Sequence, residues 1–142
     1  MSNNIPNEEM GNYIPNEEQD VEYDYPPCEV IQNIITECIN AQQAYQDGTV
    51  SANHARNIMH WIGIMVVLDG RLFWGDYVYI ELGAYLTPMH QKSYSGECPT
   101  AEDCNKLQPA IDFLQPILDD LNAGRLNNLG EPTNGNTLEG PA

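Results

Sequence analysis

Residues 61–82, WIGIMVVLDGRLFWGDYVYIEL, decide the fold, because this stretch reads in two ways. In one, Ile64–Leu68 and Arg71–Trp74 are strands joined by the two-residue turn Asp69-Gly70, and Val78, Ile80, Leu82 and Ala84 continue the alternation. In the other, a helix capped by Ser51 begins at Ala52 and carries Ala55, Ile58, Met59, Ile62, Met65 and Val66 on its first face. A further helix, capped by Asp76, then aligns Val78, Leu82, Tyr85 and Leu86. From Trp61 to Leu68 the chain is apolar nearly all round. A helix of that kind sits centrally or against another subunit.

The flanking sequence favours helices. Pro27 suits the first position of a helix, Glu29 complements its N-terminal dipole, and Ile31, Ile34, Ile35, Cys38, Gln42 and Tyr45 follow helical spacing to a stop at Asp47-Gly48. This predicts a helix over residues 27–46. Pro88 to Pro99 reads as a loop rich in Ser, Gly and polar residues. Thr100 with Asp103 approximates a capping box before a final stripe of Leu107, Ile111, Leu114, Leu118 and Leu121. Pro116 is expected to kink or split that last helix near residue 112. The expected fold is mainly α, a small helical bundle with extended N- and C-terminal arms. An α+β fold with a hairpin around residues 64–74 is the alternative. The expected organisation is an acidic arm over 1–26, a helical domain over 27–126 and a polar C-terminal tail over 127–142.

Charge narrows the function. The chain of 142 residues carries five Lys or Arg against 21 Asp or Glu, a formal net charge of -16. Such a field repels phosphate and anionic lipid, so nucleic acid and membrane surfaces are not expected as direct partners. The first four residues, Met1-Ser2-Asn3-Asn4, show no basic or apolar start of a signal peptide. The longest apolar stretch, Ile58 to Leu68, is too short to span a bilayer. The expectation is a protein inside a cell or a particle, with Cys28, Cys38, Cys98 and Cys104 as free thiols.

The acids are concentrated at the N-terminus, where Glu8, Glu9, Glu17, Glu18, Asp20, Glu22, Asp24 and Glu29 occur with no base before Arg56. This arm also repeats itself: Ile5-Pro6-Asn7-Glu8-Glu9 recurs nine residues later as Ile14-Pro15-Asn16-Glu17-Glu18. Each proline fixes its own φ and pushes the preceding Ile toward extended backbone. Each copy thus offers an apolar knob followed by two carboxylates. A duplicated docking motif would gain strength because each copy holds the other near its site; a neutral duplication in a solvated tail is the plainer reading. The expected partner-binding residues are Ile5, Pro6, Glu8, Glu9, Ile14, Pro15, Glu17 and Glu18. Trp74, Tyr77 and Tyr79 join them because exposed Tyr and Trp are favoured interface anchors.

Motifs for small-molecule chemistry are not expected. Cys98 and Cys104 lack the short-spaced second pair of a structural zinc site, and His54 and His60 are not spaced as ligands on one helical face. Asp20, Glu22 and Asp24 alternate like calcium ligands, but Tyr25 and Ile31 stand where such a loop needs Gly and Glu. There is no Gly-rich phosphate loop and no nucleophile elbow. The reading is a non-enzyme with no cofactor, metal or small-molecule substrate.

The C-terminal half resembles the small head–tail adaptor (connector) proteins of tailed bacteriophages. The resemblance lies in Ile80-Glu81-Leu82-Gly83-Ala84-Tyr85-Leu86, in Ala110-Ile111-Asp112-Phe113-Leu114, and in Leu121-Asn122-Ala123-Gly124-Arg125-Leu126. It covers about a third of the chain; the duplicated acidic arm and the prolines of the last helix depart from the pattern. The resemblance implies a helical subunit in a ring, with arms touching neighbouring subunits. The expected function is therefore an oligomeric virion component, a head–tail adaptor or decorating subunit in a phage particle or host cytoplasm. The alternative is an acidic inhibitor that imitates nucleic acid and blocks a host DNA- or RNA-binding enzyme.

Overall fold

A computed structural model describes residues 25–69, 72–127 and 129–133; the duplicated arm motif lies outside them. The described residues form a mainly α fold of five helices: α1 (Pro27–Gln46), α2 (Ala52–Asp69), α3 (Gly75–Ser95), the short α4 (Ala101–Asn105) and α5 (Leu107–Asn122). The hairpin reading fails because α2 runs unbroken through Ile64–Asp69 and α3 through Val78–Ala84. Burial of Ile62, Ile64, Met65 and Leu68 along α2 outweighs the local preference of Val and Ile for strands.

The helix starts are set by local chemistry. Pro27 occupies the first position of α1, where its missing N–H costs nothing. The Ser51 hydroxyl accepts from the Asn53 N–H, while the Ser51 N–H donates to His54 Nδ1 at 3.1 Å. His54 thus takes the place a Glu fills in the usual reciprocal cap. Thr100 and Asp103 make the full capping box of α4, and Lys92 Nζ lies 3.5 Å from Asp103 Oδ2. That ion pair, made to a carboxylate that is the one buried among the described residues, ties the last turn of α3 to α4.

Four helices close around one core. α2 packs against α1 and α3, and α5 closes the ring against both α1 and α3. Ile31, Ile34, Ile35 and Cys38 of α1 meet Ile58 and Met65 of α2, Leu82 and Met89 of α3, and Leu107 and Leu114 of α5. The face of α1 bends away from the expected stripe at its end, where Ala41 and Ala44 are buried and Tyr45 is exposed.

Both internal prolines are carried without a break. α3 continues through Pro88 to Ser95, against the expected loop from residue 88, and ends at Gly96 in a left-handed conformation (φ 75°). α5 continues through Pro116, against the expected split near residue 112. An interior proline costs about 3 kcal/mol. In both helices buried side chains follow the proline, Met89 in one and Ile117 and Leu118 in the other, and their burial holds the helical course.

At the start of the C-terminal segment, residues 129–133 are also structured. Residues 125–127 and 129–133 lie together in a turn: Leu126 bridges Pro132, and Asn127 Oδ1 accepts from the Leu129 and Glu131 N–H groups. This turn lies over Trp74, which is 3% exposed. Trp74 is therefore not the surface anchor expected from the sequence. Gly130 (φ 80°) abuts the indole so closely that a Cβ there would overlap the ring. Gly48 (φ 76°) has the same backbone geometry and open space around it.

These two glycines separate backbone strain from packing. Gly48→Ala should cost roughly 1–2 kcal/mol through the left-handed conformation alone. Gly130→Ala should cost more, about 3 kcal/mol, because it also displaces Trp74. Urea unfolding monitored by tryptophan fluorescence checks the order, and equal losses would contradict the packing of the turn on Trp74.

Candidate functional site

The ring of helices leaves one face of the α2–α3 pair open. Along α2, Arg56, Met59, His60, Gly63 and Val66 recur at three- and four-residue intervals, so they share one side of the helix. On α3, Tyr79, Gly83, Leu86, His90 and Tyr94 do the same. Together they line a continuous groove. Its deeper, apolar part lies between Met59 and Ile62 on one side and Ile80, Leu82 and Leu86 on the other, with a free volume of about 190 Å³. A wider and shallower part of about 450 Å³ extends toward Arg56, Ser93 and Tyr94.

Glycines shape this groove. Gly63 and Gly83 stand on facing helices, and a Cβ at either would meet nothing within 4 Å. They are not required by backbone conformation or close helix contact; they leave room. Around that room the apolar residues are unusually bare: Val66 is 44% exposed, Ile80 68% and Tyr94 82%.

The electrostatics of the groove run against the rest of the molecule. Among the described residues its lining holds Arg56, His60 and His90 and no Asp or Glu. Among the described residues Arg56 meets no carboxylate, and its guanidinium donates to Asn53 Oδ1 at 3.4 Å. Lys92 and Arg125, by contrast, are paired with acids. His60 stands edge-on to Trp61 (centroids 5.1 Å apart), and His90 stacks near Tyr94 (5.0 Å). A protein of formal charge -16 thus presents an acid-free, aromatic and partly basic cleft.

The expected site residues are dispersed. Trp74 is buried, as described. Tyr77 and Tyr79 both lie on the surface of α3 but diverge: Tyr77 packs edge-on against Phe113 of α5 (5.6 Å), whereas Tyr79 lines the groove with α2. Ile5, Pro6, Glu8, Glu9, Ile14, Pro15, Glu17 and Glu18 lie outside the described residues. The sequence reading missed Arg56, His60, Gly63, Gly83 and His90. The signal available was that glycine and histidine interrupt both apolar helices on the same face.

Cys38 and Cys104 are buried in the packing, while Cys98 is exposed. Burial pushes Cys38 from a thiol's ordinary 9.0 up to about 12, with Glu37 adding to the effect. Burial likewise raises Cys104, helped by Asp103 and Cys98. No group of three or more His, Cys, Asp or Glu capable of holding a metal occurs among the described residues. Comparison with protein-family models, curated proteins and solved structures finds no match to this chain.

Thiol reactivity reports this arrangement. At pH 8 a maleimide should modify exposed Cys98 rapidly and leave Cys38 untouched until the protein unfolds. A raised thiol pKa also means that the native state holds the Cys38 proton more tightly than the unfolded chain. Its contribution to stability is complete below pH 9 and declines as pH rises toward 12. Mass spectrometry of labelled protein checks the pattern; equal labelling of Cys38 and Cys98 in the folded state would contradict the burial of α1.

Proposed function

We propose that this chain is a non-enzymatic assembly protein, an oligomeric component of a bacteriophage particle such as a head–tail adaptor or decorating subunit. The observation that carries the assembly reading is the groove between α2 and α3. Val66, Tyr79, Ile80 and Tyr94 leave a contiguous apolar and aromatic surface bare beside Arg56, and cover by a protein surface removes that area from water. Aromatic side chains and Arg are the residue types that anchor protein interfaces. The placement in a phage particle rests on the sequence resemblance of residues 80–86 and 110–126 to connector proteins. It carries with it a location in the virion or host cytoplasm. No helix of the described residues is long and apolar enough to cross a membrane.

The acid excess supports a second reading, a nucleic-acid mimic that blocks a host enzyme. The two differ in the force that holds the partner. A mimic docks its carboxylates on a basic groove, and that attraction acts over about 8 Å at physiological ionic strength. An assembly subunit docks through apolar contacts, which salt barely weakens, while screening relieves repulsion between chains that each carry -16.

Association of the protein with itself or a particle subunit should therefore persist or strengthen between low and moderate salt. Short duplex DNA should not compete. Light scattering across a salt series, with and without DNA, measures both. A steep loss of binding with salt together with displacement by DNA would favour the mimic.

A further inference from the structure

We infer that the α2–α3 groove is the seat for the Ile-Pro-Asn-Glu-Glu repeat of a second copy of this chain. The inference rests on the assembly reading and supplies its contact. Three features of the molecule point to this occupant.

Charge comes first. Residues 1–29 hold eight acids and no base, and each motif copy ends in two adjacent Glu. The groove is acid-free and offers Arg56, His60 and His90. Shape agrees with charge. Each copy presents one Ile ahead of a proline, and the deeper part of the groove is an apolar hollow with room for one branched aliphatic side chain. Five extended residues span roughly 17 Å, and the ten residue steps of α2 from Arg56 to Val66 rise about 15 Å. One groove therefore holds one copy of the motif. An Ile seated beside Met59 and Leu86 leaves the following Glu pair to run toward Arg56.

The root of the arm favours a second chain over the same one. The described chain begins at Tyr25, which packs edge-on against Trp61 (centroids 5.3 Å apart). Trp61 is two residues from both Met59 and Gly63, so it stands on the side of α2 turned away from the groove. The described chain thus begins on the side of α2 away from its own groove, so an arm seated in that groove would first have to pass around the helix. Each chain carries two motif copies, and its described residues form the groove that would seat one of them. In a closed assembly the grooves seat one copy per chain, and the second copy, nine residues along the same arm, is held close by to rebind when the first leaves.

The test uses the full-length chain and sedimentation equilibrium at micromolar concentration. Wild-type protein should be a dimer or larger. The double variant Ile5→Ala/Ile14→Ala, which removes both knobs, should be monomeric. Gly63→Glu should also be monomeric, because it puts a carboxylate into the groove. Space around Gly63 is open and Glu is the better helix former, so this variant should keep the circular dichroism of the wild type. Gln115→Glu, which adds the same charge on the exposed face of α5, should leave the mass unchanged. Mixing the arm-deficient and groove-deficient variants should restore a 1:1 dimer, since one supplies an intact groove and the other an intact arm. A mixture that stays monomeric, or a Gly63→Glu variant as associated as wild type, overturns the inference and leaves the assembly reading standing. A wild-type chain that is monomeric throughout overturns both.

Discussion

The constraint behind this structure is that α2 has more apolar surface than its own bundle covers. A helix with one apolar stripe is satisfied by one neighbour. Residues 61–68 carry apolar side chains nearly all round, and only His60 and Gly63 relieve the pattern nearby. α1 takes one side and α3 another, which buries Ile58, Ile62, Met65 and Leu68. Val66 and Val67 remain about half exposed. Closing the ring with α5 completes the core but does not reach that outer face, because α5 packs on α1 and α3 and not on α2.

The rest of the molecule is consistent with a face held open. Where α3 runs beside α2, it contributes Tyr79, Gly83 and His90, so a channel forms where a tighter pair would interdigitate. Among the described residues no carboxylate enters the channel's lining, and Arg56 stands within it. The α3 end is firmly tied down: Gly96 terminates the helix, Lys92 reaches Asp103, and the capping box starts α4. At the opposite end the turn of residues 125–127 and 129–133 covers Trp74, so the corner between α2 and α3 is held by packing on a rigid indole. The groove is built on elements fixed at both ends, which is how a docking surface avoids an ordering cost on binding.

Much of this architecture was legible in the sequence. The start of α1 at Pro27, the Ser51 cap and the Thr100–Asp103 box lie where local chemistry puts them, because a cap depends on three or four neighbouring residues. The preference for helices over the 64–74 hairpin also came from flanking signals. Pro88 and Pro116 misled because their cost is local whereas the burial of Met89 and Leu118 that offsets it comes from other helices. Trp74 misled for a related reason: its cover is Gly130, more than fifty residues away, and no local pattern announces it. The groove itself was the hardest feature to foresee, since it needs the register of α2 against α3, which periodicity alone does not supply. Tyr79 was found, but as a neighbour of Tyr77 and not as a partner of His60 and His90.

The central claim is that the α2–α3 face is covered by another molecule of protein when the chain is at work. Hydroxyl-radical footprinting across a concentration series reads that cover directly from side chains. Oxidation of Met59, Tyr79 and Tyr94 should fall as protein concentration rises, while oxidation of Tyr45 and Tyr77, exposed on other faces, stays constant. Unchanged oxidation of Met59, Tyr79 and Tyr94 from the lowest to the highest concentration would contradict the account.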